Sequence, residues 1–214
     1  MSGVSQEEFI RTVREAIGTR RDVAERPADY GVARVVSPDG PIVEKFCEMV
    51  LDARMQLHRV GGPADVPAAV LAIMKQHGVR SAIVSEEAFP GREALRAAME
   101  AAGCELLDLR APDAPFEADL GITAARLAIA ETGSIVVRSG PDVRRIGSLA
   151  VPVHVSIVPR ERIVPDLMDW AAALGPDMPS NEVLITGPSK TSDIEMKLVV
   201  GVHGPRHVHV VLVG

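Results

Sequence analysis

From about residue 61 onward, short apolar runs alternate with longer stretches at helical spacing, and this alternation constrains the fold more than any other feature. Residues 65–77 read as a helix stopped by Gly78, and Ser81-Ala82-Ile83-Val84 as a short buried strand. Residues 92–102 read as a helix ended by Gly103, and residues 104–109 as the next strand. Parallel strands cannot be joined by tight turns and need crossover connections, usually helices. The pattern therefore predicts an α/β fold with a mostly parallel sheet.

The remaining segments fit that class. A proline-rich connection covers residues 111–115, and a short helix is predicted over residues 120–126. Two strand-like runs, residues 127–130 and 135–138, flank Glu131-Thr132-Gly133-Ser134, where a tight turn predicts a hairpin. Residues 153–158 read as a strand, residues 163–174 as a helix, and residues 183–186 as a strand entering Gly187-Pro188-Ser189-Lys190-Thr191. A helix over residues 193–200 and a closing strand over residues 207–213 complete the series.

The first sixty residues read as a separate helical segment, 1–60, ahead of an α/β domain, 61–214. Ser5 and Glu8 form a capping box, followed by Phe9, Val13 and Ile17 on one stripe. A break at Arg26-Pro27 precedes a second helix, from residue 41 to about 58, whose broad apolar face predicts core packing or a contact in a homo-oligomer. Gly61-Gly62-Pro63 marks the boundary.

Composition excludes several classes. Apolar residues make up 47% and aromatics only 3%, so the core must be aliphatic and no stacking platform for single-stranded nucleic acid is expected. A net charge of −6 argues against duplex binding through phosphate attraction. The cysteines, Cys47 and Cys104, are far apart, so neither a metal site, an iron–sulfur cluster nor a disulfide scaffold is expected in this chain. Acidic residues near the start rule out a secretory signal, and no apolar run reaches the ~18 residues of a membrane span. A reducing cytoplasm is the expected location.

Three segments carry candidate chemistry. Glu131, between apolar runs, is costly if buried and ionised without a partner. It is either a nucleophile, acid/base group or ligand contact, with Thr123, Thr132, Gly133 and Ser134 beside it, or a turn residue. The run Gly187-Pro188-Ser189-Lys190-Thr191 leads a strand toward a predicted helix, so exposed amides, two hydroxyls and Lys190 could hold an anion. The Ser192/Glu195 pair also fits an ordinary capped helix. His203 is a candidate acid or base, or else a turn residue, and His207 and His209 share one face of the last strand without a local carboxylate to complete a metal site. Arg144-Arg145 could clamp an anion or lie solvated at the surface. No G-x-G-x-x-G fingerprint follows a strand, which disfavours a nicotinamide enzyme of the usual kind.

Two long motifs support a family resemblance. Ala118-Asp119-Leu120-Gly121-Ile122-Thr123 through Ala128-Ile129-Ala130-Glu131-Thr132-Gly133-Ser134 resembles the LUD domain of the lactate utilization protein C family. So does Ile185-Thr186-Gly187-Pro188-Ser189-Lys190-Thr191-Ser192-Asp193-Ile194-Glu195, followed by Val200-Gly201-Val202-His203-Gly204-Pro205. The resemblance covers roughly residue 60 to the C-terminus and implies a three-layer α/β sandwich of the NagB/RpiA/CoA-transferase type. It further implies a role in oxidising L-lactate to pyruvate beside iron–sulfur partner proteins, with no cluster in this chain. Glu131-Thr132-Gly133 is also similar to the nucleophilic Glu-Asn-Gly motif of family I CoA-transferases, with Thr132 departing from it.

The expected reading is a cytoplasmic subunit of a lactate-oxidising system. Its cleft would hold a small anionic ligand between Thr123, Glu131 to Ser134, Gly187, Ser189, Lys190, Thr191 and His203, with Glu131 and His203 as acid/base groups. The alternatives are an acyl-CoA or sugar-phosphate enzyme using Glu131 covalently, and a non-catalytic assembly or regulatory module.

Overall fold

The computed structural model describes residues 5–17, 34–111, 113–140, 146–175, 179, 181–192, 198–200 and 204–214. The chain divides into two compact units, Met1–Ala33 and Arg34–Gly214. The first contains helix α1 (Gln6–Ile17), where the Glu8 amide donates to Ser5 Oγ at 3.2 Å. The expected segment 1–60 thus includes α1 in the first unit and, in the second, the elements from residue 34 to 60.

The second unit is built on a six-stranded, wholly parallel sheet. Its strands are β1 (Gln56–Val60), β2 (Ser81–Val84), β3 (Glu105–Leu106), β4 (Leu120–Ala124), β7 (Val153–Pro159) and β12 (His207–Val213), in the order β1-β12-β7-β4-β2-β3. Helices α3 (Val66–His77) and α4 (Arg92–Ala101) cross between strands, as the alternation predicts.

Both faces of this sheet are covered, so its central strands read as continuous apolar runs rather than alternating ones. On β12, Val211 and Val213 join the core beneath α3 and α4, while Val208, Val210 and Leu212 join the opposite core. That second core is closed by helix α2 (Ile42–Asp52) and by a four-stranded sheet in the order β8-β5-β6-β9. Its strands are β5 (Leu127–Ile129), β6 (Ser134–Ser139), β8 (Ile163–Val164) and β9 (Asn181–Ile185). Short helices α5 (Ala114–Glu117) and α6 (Ile146–Leu149) border a third cluster around Ile83, Leu109 and Val151. The hairpin expected around residues 131–134 is present, with Leu127 opposite Val136 and Ile129 opposite Ser134.

Four expectations are corrected. The helix predicted from residue 41 to 58 ends at Asp52, and residues 56–60 form β1, which pairs with β12 from Gln56↔His209 to Val60↔Val213. The apolar positions there suit either element, and the unpaired edge of β12 decides for strand. Residues 120–126 are not helical: β4 is a fully buried strand between β2 and β7. The helix predicted over residues 163–174 is shorter, because residues 163–164 pair with β5 and Pro165 interrupts the run. Helix α7 (Leu167–Ala172) starts only after Asp166, whose carboxylate accepts from the amides of Met168 and Asp169. Finally, the end of the helix predicted over residues 193–200 is strand: β11 (Leu198–Val200) pairs antiparallel with β10 (Lys190–Ser192) from Lys190↔Val200 to Ser192↔Leu198, while residues 193–197 lie outside the described residues.

Candidate functional site

The two motif loops meet. Strand β6 pairs with β9, placing Ile135 opposite Ile185, so the residues just before β6 lie beside those just after β9. Thr132 Oγ1 lies 2.6 Å from Ser134 Oγ, which lies 2.6 Å from Thr186 Oγ1. This chain of three hydroxyls joins the Glu131–Ser134 turn to the turn beginning at Gly187. Ser134, in the middle, is buried.

Two glycines allow both turns to sit against α2. Gly133 has φ +67°, and a Cβ there would lie 2.5 Å from the Met49 carbonyl carbon. Gly187 has φ +104°, and a Cβ there would lie 2.4 Å from the Ala53 carbonyl oxygen. Positive φ and backbone this close each require glycine.

The loops lie at one rim of the parallel sheet. Ala53 precedes β1, and the Ser189 amide donates to Pro205 O, just before β12. The Arg206 amide in turn donates to Pro152 O, just before β7. The candidate cleft therefore follows strands of the smaller sheet but lies at the amino ends of the parallel strands. Strand β10 follows this turn directly, so Lys190, hydroxyls and turn amides are the described groups that could hold an anion there; the start of the helix predicted from residue 193 lies outside the described residues.

The individual residues divide clearly. The Glu131 carboxylate accepts from the Leu167 amide at 3.4 Å, and the Glu131 amide donates to Pro165 O, so this side chain sits at the start of α7. Lys190 is exposed, with its Nζ 3.7 Å from the position a Cβ on Gly187 would take. Thr123 is not part of the loop pair: it lies on β4, buried, with Oγ1 2.9 Å from His154 Nε2. His203 and the Arg144-Arg145 pair fall outside the described residues, as does the side chain of Thr191.

Three polar residues, His154, Ser156 and Glu87, were not singled out from the sequence. His154 is wholly buried, and burial pushes its imidazole down to about 4. Ser156 lies two residues on, opposite Thr123, and neither its hydroxyl nor His154 Nδ1 has a partner among the described residues. A lone histidine in an apolar run gives little signal of this. Glu87, beyond the carboxyl end of β2, was more legible, as Ser85-Glu86-Glu87 directly follows a predicted strand. Burial raises the Glu87 carboxyl, opposed by a hydrogen bond from Ser85 Oγ at 3.3 Å.

His207 and His209 share a face, as expected, and α3 and β1 add to it. His209 Nδ1 lies 3.0 Å from His58 Nε2, and its Nε2 lies 3.0 Å from His77 Nε2. His209 thus bridges two imidazoles through opposite ring edges. Among the described residues no group of three His, Cys, Asp or Glu is placed to hold a metal ion.

A parallel sheet faced by helices on one side and by a hairpin-containing sheet on the other, with both motif turns on one rim, defines the class. The LUD domain family matches residues 43–213, and the chain belongs to that family. It is 27% identical to lactate utilization protein C of Oceanobacillus iheyensis over 98% of each chain. It is 42% identical to lactate utilization protein C of Bacillus subtilis over 45% of this chain and 43% of that one. A solved DUF162 family protein from Deinococcus radiodurans superposes with a TM-score of 0.61 at 26% identity, covering 81% of this chain and 96% of that one.

Proposed function

We propose that this chain serves lactate utilization, as a subunit of a system that oxidises L-lactate to pyruvate together with iron–sulfur partner proteins. The observation that carries the reading is the end-to-end likeness to a lactate utilization protein C. Cysteine count supports assigning the clusters to a partner. A cluster commonly takes four thiolates, and this chain has only Cys47 and Cys104, buried in separate cores. Among the described residues no helix is long and apolar enough to cross a membrane, in keeping with a cytoplasmic assembly.

In this reading the joined turns hold a small carboxylate. Ser189 and the Thr132–Ser134–Thr186 hydroxyls supply donors, Lys190 supplies charge, and Glu131 and His203 are the acid/base candidates. Deleting the gene from its source organism tests the role. Growth on L-lactate should fail while growth on glucose continues, and the wild-type chain should restore it. A Lys190→Ala chain should restore it poorly at equal protein level. Unimpaired growth of the deletion strain on L-lactate would refute the role. A mass-spectrometric adduct on Glu131 after incubation with an acyl-CoA would replace it with a transferase.

A further inference from the structure

We propose that the pocket at the carboxyl ends of β2 and β3 binds a phosphate monoester of mononucleotide size. The pocket has a volume of about 560 Å³ and lies at the opposite end of the parallel strands from the joined turns. It lies over the edge pair β2 and β3, one strand outward from the β4–β2 boundary where strand order reverses. In open α/β sheets ligands bind outside the carboxyl ends of the strands.

Charge selects the ligand. Arg92 and Arg96 stand one turn apart on α4, and Arg110 reaches in from the loop after β3. Two carboxylates, Glu86 and Asp108, also line the pocket, and Glu93 beside it holds Arg92, so Arg96 is the guanidinium left to meet an anion. Arg92 is anchored by Nε donating to Ser85 O at 3.0 Å, with Nη1 on Glu93 at 2.6 Å. Arg110 pairs with Glu86 at 2.8 Å, but both side chains are well exposed. Exposed pairs of this kind contribute little to stability. Arg96 is half-buried and has no hydrogen bond or ion pair among the described residues.

Guanidinium groups bind phosphate through two parallel hydrogen bonds, so Arg96 and Arg110 suit a dianion better than a single carboxylate. Val84, Leu106 and Leu107 complete the lining, and buried Leu109 anchors the loop that carries Arg110. The Arg110 amide donates to Asp108 Oδ1 at 2.9 Å, which fixes the turn. A volume of this order suits a drug-sized molecule, so lactate alone would leave it mostly unfilled.

Isothermal titration of the full-length protein with adenosine 5′-monophosphate, inorganic phosphate and L-lactate tests the proposal. The nucleotide should bind more tightly than phosphate, with affinity falling as salt rises, and lactate should not compete. Arg96→Ala and Arg110→Ala should each weaken nucleotide binding by about tenfold or more, the loss expected for charge-assisted hydrogen bonds. Lys75→Ala, which removes one positive charge elsewhere, should not. Circular dichroism and melting confirm that each variant is folded. No nucleotide binding at millimolar concentration, or unchanged affinity in Arg96→Ala, would overturn the proposal. Loss of binding in Lys190→Ala would also overturn it, placing the anion at the other rim. The growth test on L-lactate is independent of all these outcomes.

Discussion

Acid should weaken this protein before its carboxylates are protonated, because buried histidines must be kept neutral. Burial holds His154 at about 4. Burial, together with His58, His77, His207 and His154 nearby, holds His209 at about 3. In the unfolded chain both return to about 6.5. Between these values the unfolded chain binds more protons than the folded one, so stability falls as pH falls. Above about 6.5 the effect vanishes, since both states are neutral. From pH 7 to pH 5 each histidine should cost about 2 kcal/mol, together about 4 kcal/mol. That is a large share of the ~5–15 kcal/mol by which a domain is normally stable. His58 and His77, also lowered by burial, act in the same direction.

Urea unfolding followed by circular dichroism in half-unit steps between pH 7.5 and pH 5 measures this slope. His154→Asn and His209→Gln should each be less steep than wild type by about 1 kcal/mol per pH unit between pH 5 and 6, whatever their absolute stability. A wild-type stability that is flat from pH 7 to pH 5, or a slope unchanged in both variants, would refute the reasoning.

Three further outcomes are expected. Gly133→Ala and Gly187→Ala should each lose about 1–3 kcal/mol or more, read as a lower melting midpoint, since φ is positive and Met49 or Ala53 backbone fills the space. Ser134→Ala should lose about 1–2 kcal/mol, because the bridge between the turns is broken and the Thr132 and Thr186 hydroxyls lose their shared partner. Glu182→Ala should lose about 3–5 kcal/mol, since its buried carboxylate pairs with Arg126 at 3.2 Å and accepts from Trp170 Nε1 at 2.8 Å. Glu182→Gln, retaining the acceptor for Trp170, should be milder when compared by denaturant midpoint.

The sequence alone determined the α/β class, because helices such as residues 66–77 and 92–101 carry their own periodicity and stops. It also determined the hairpin, because Thr132-Gly133 between apolar runs leaves room only for a tight turn. Both are local properties, written in neighbouring residues. Residues 56–60, 120–124 and 198–200 are different. Each is too short to carry a decisive period, and its hydrogen-bond partners lie in another strand, so only assembly of the sheets made it a strand. The convergence of the motif turns likewise depends on the pairing of β6 with β9, and their rim on packing against α2 and residues 205–206. The arginine pocket at the other end gathers side chains from β2, α4 and the loop after β3, three segments that no sequence spacing brings together.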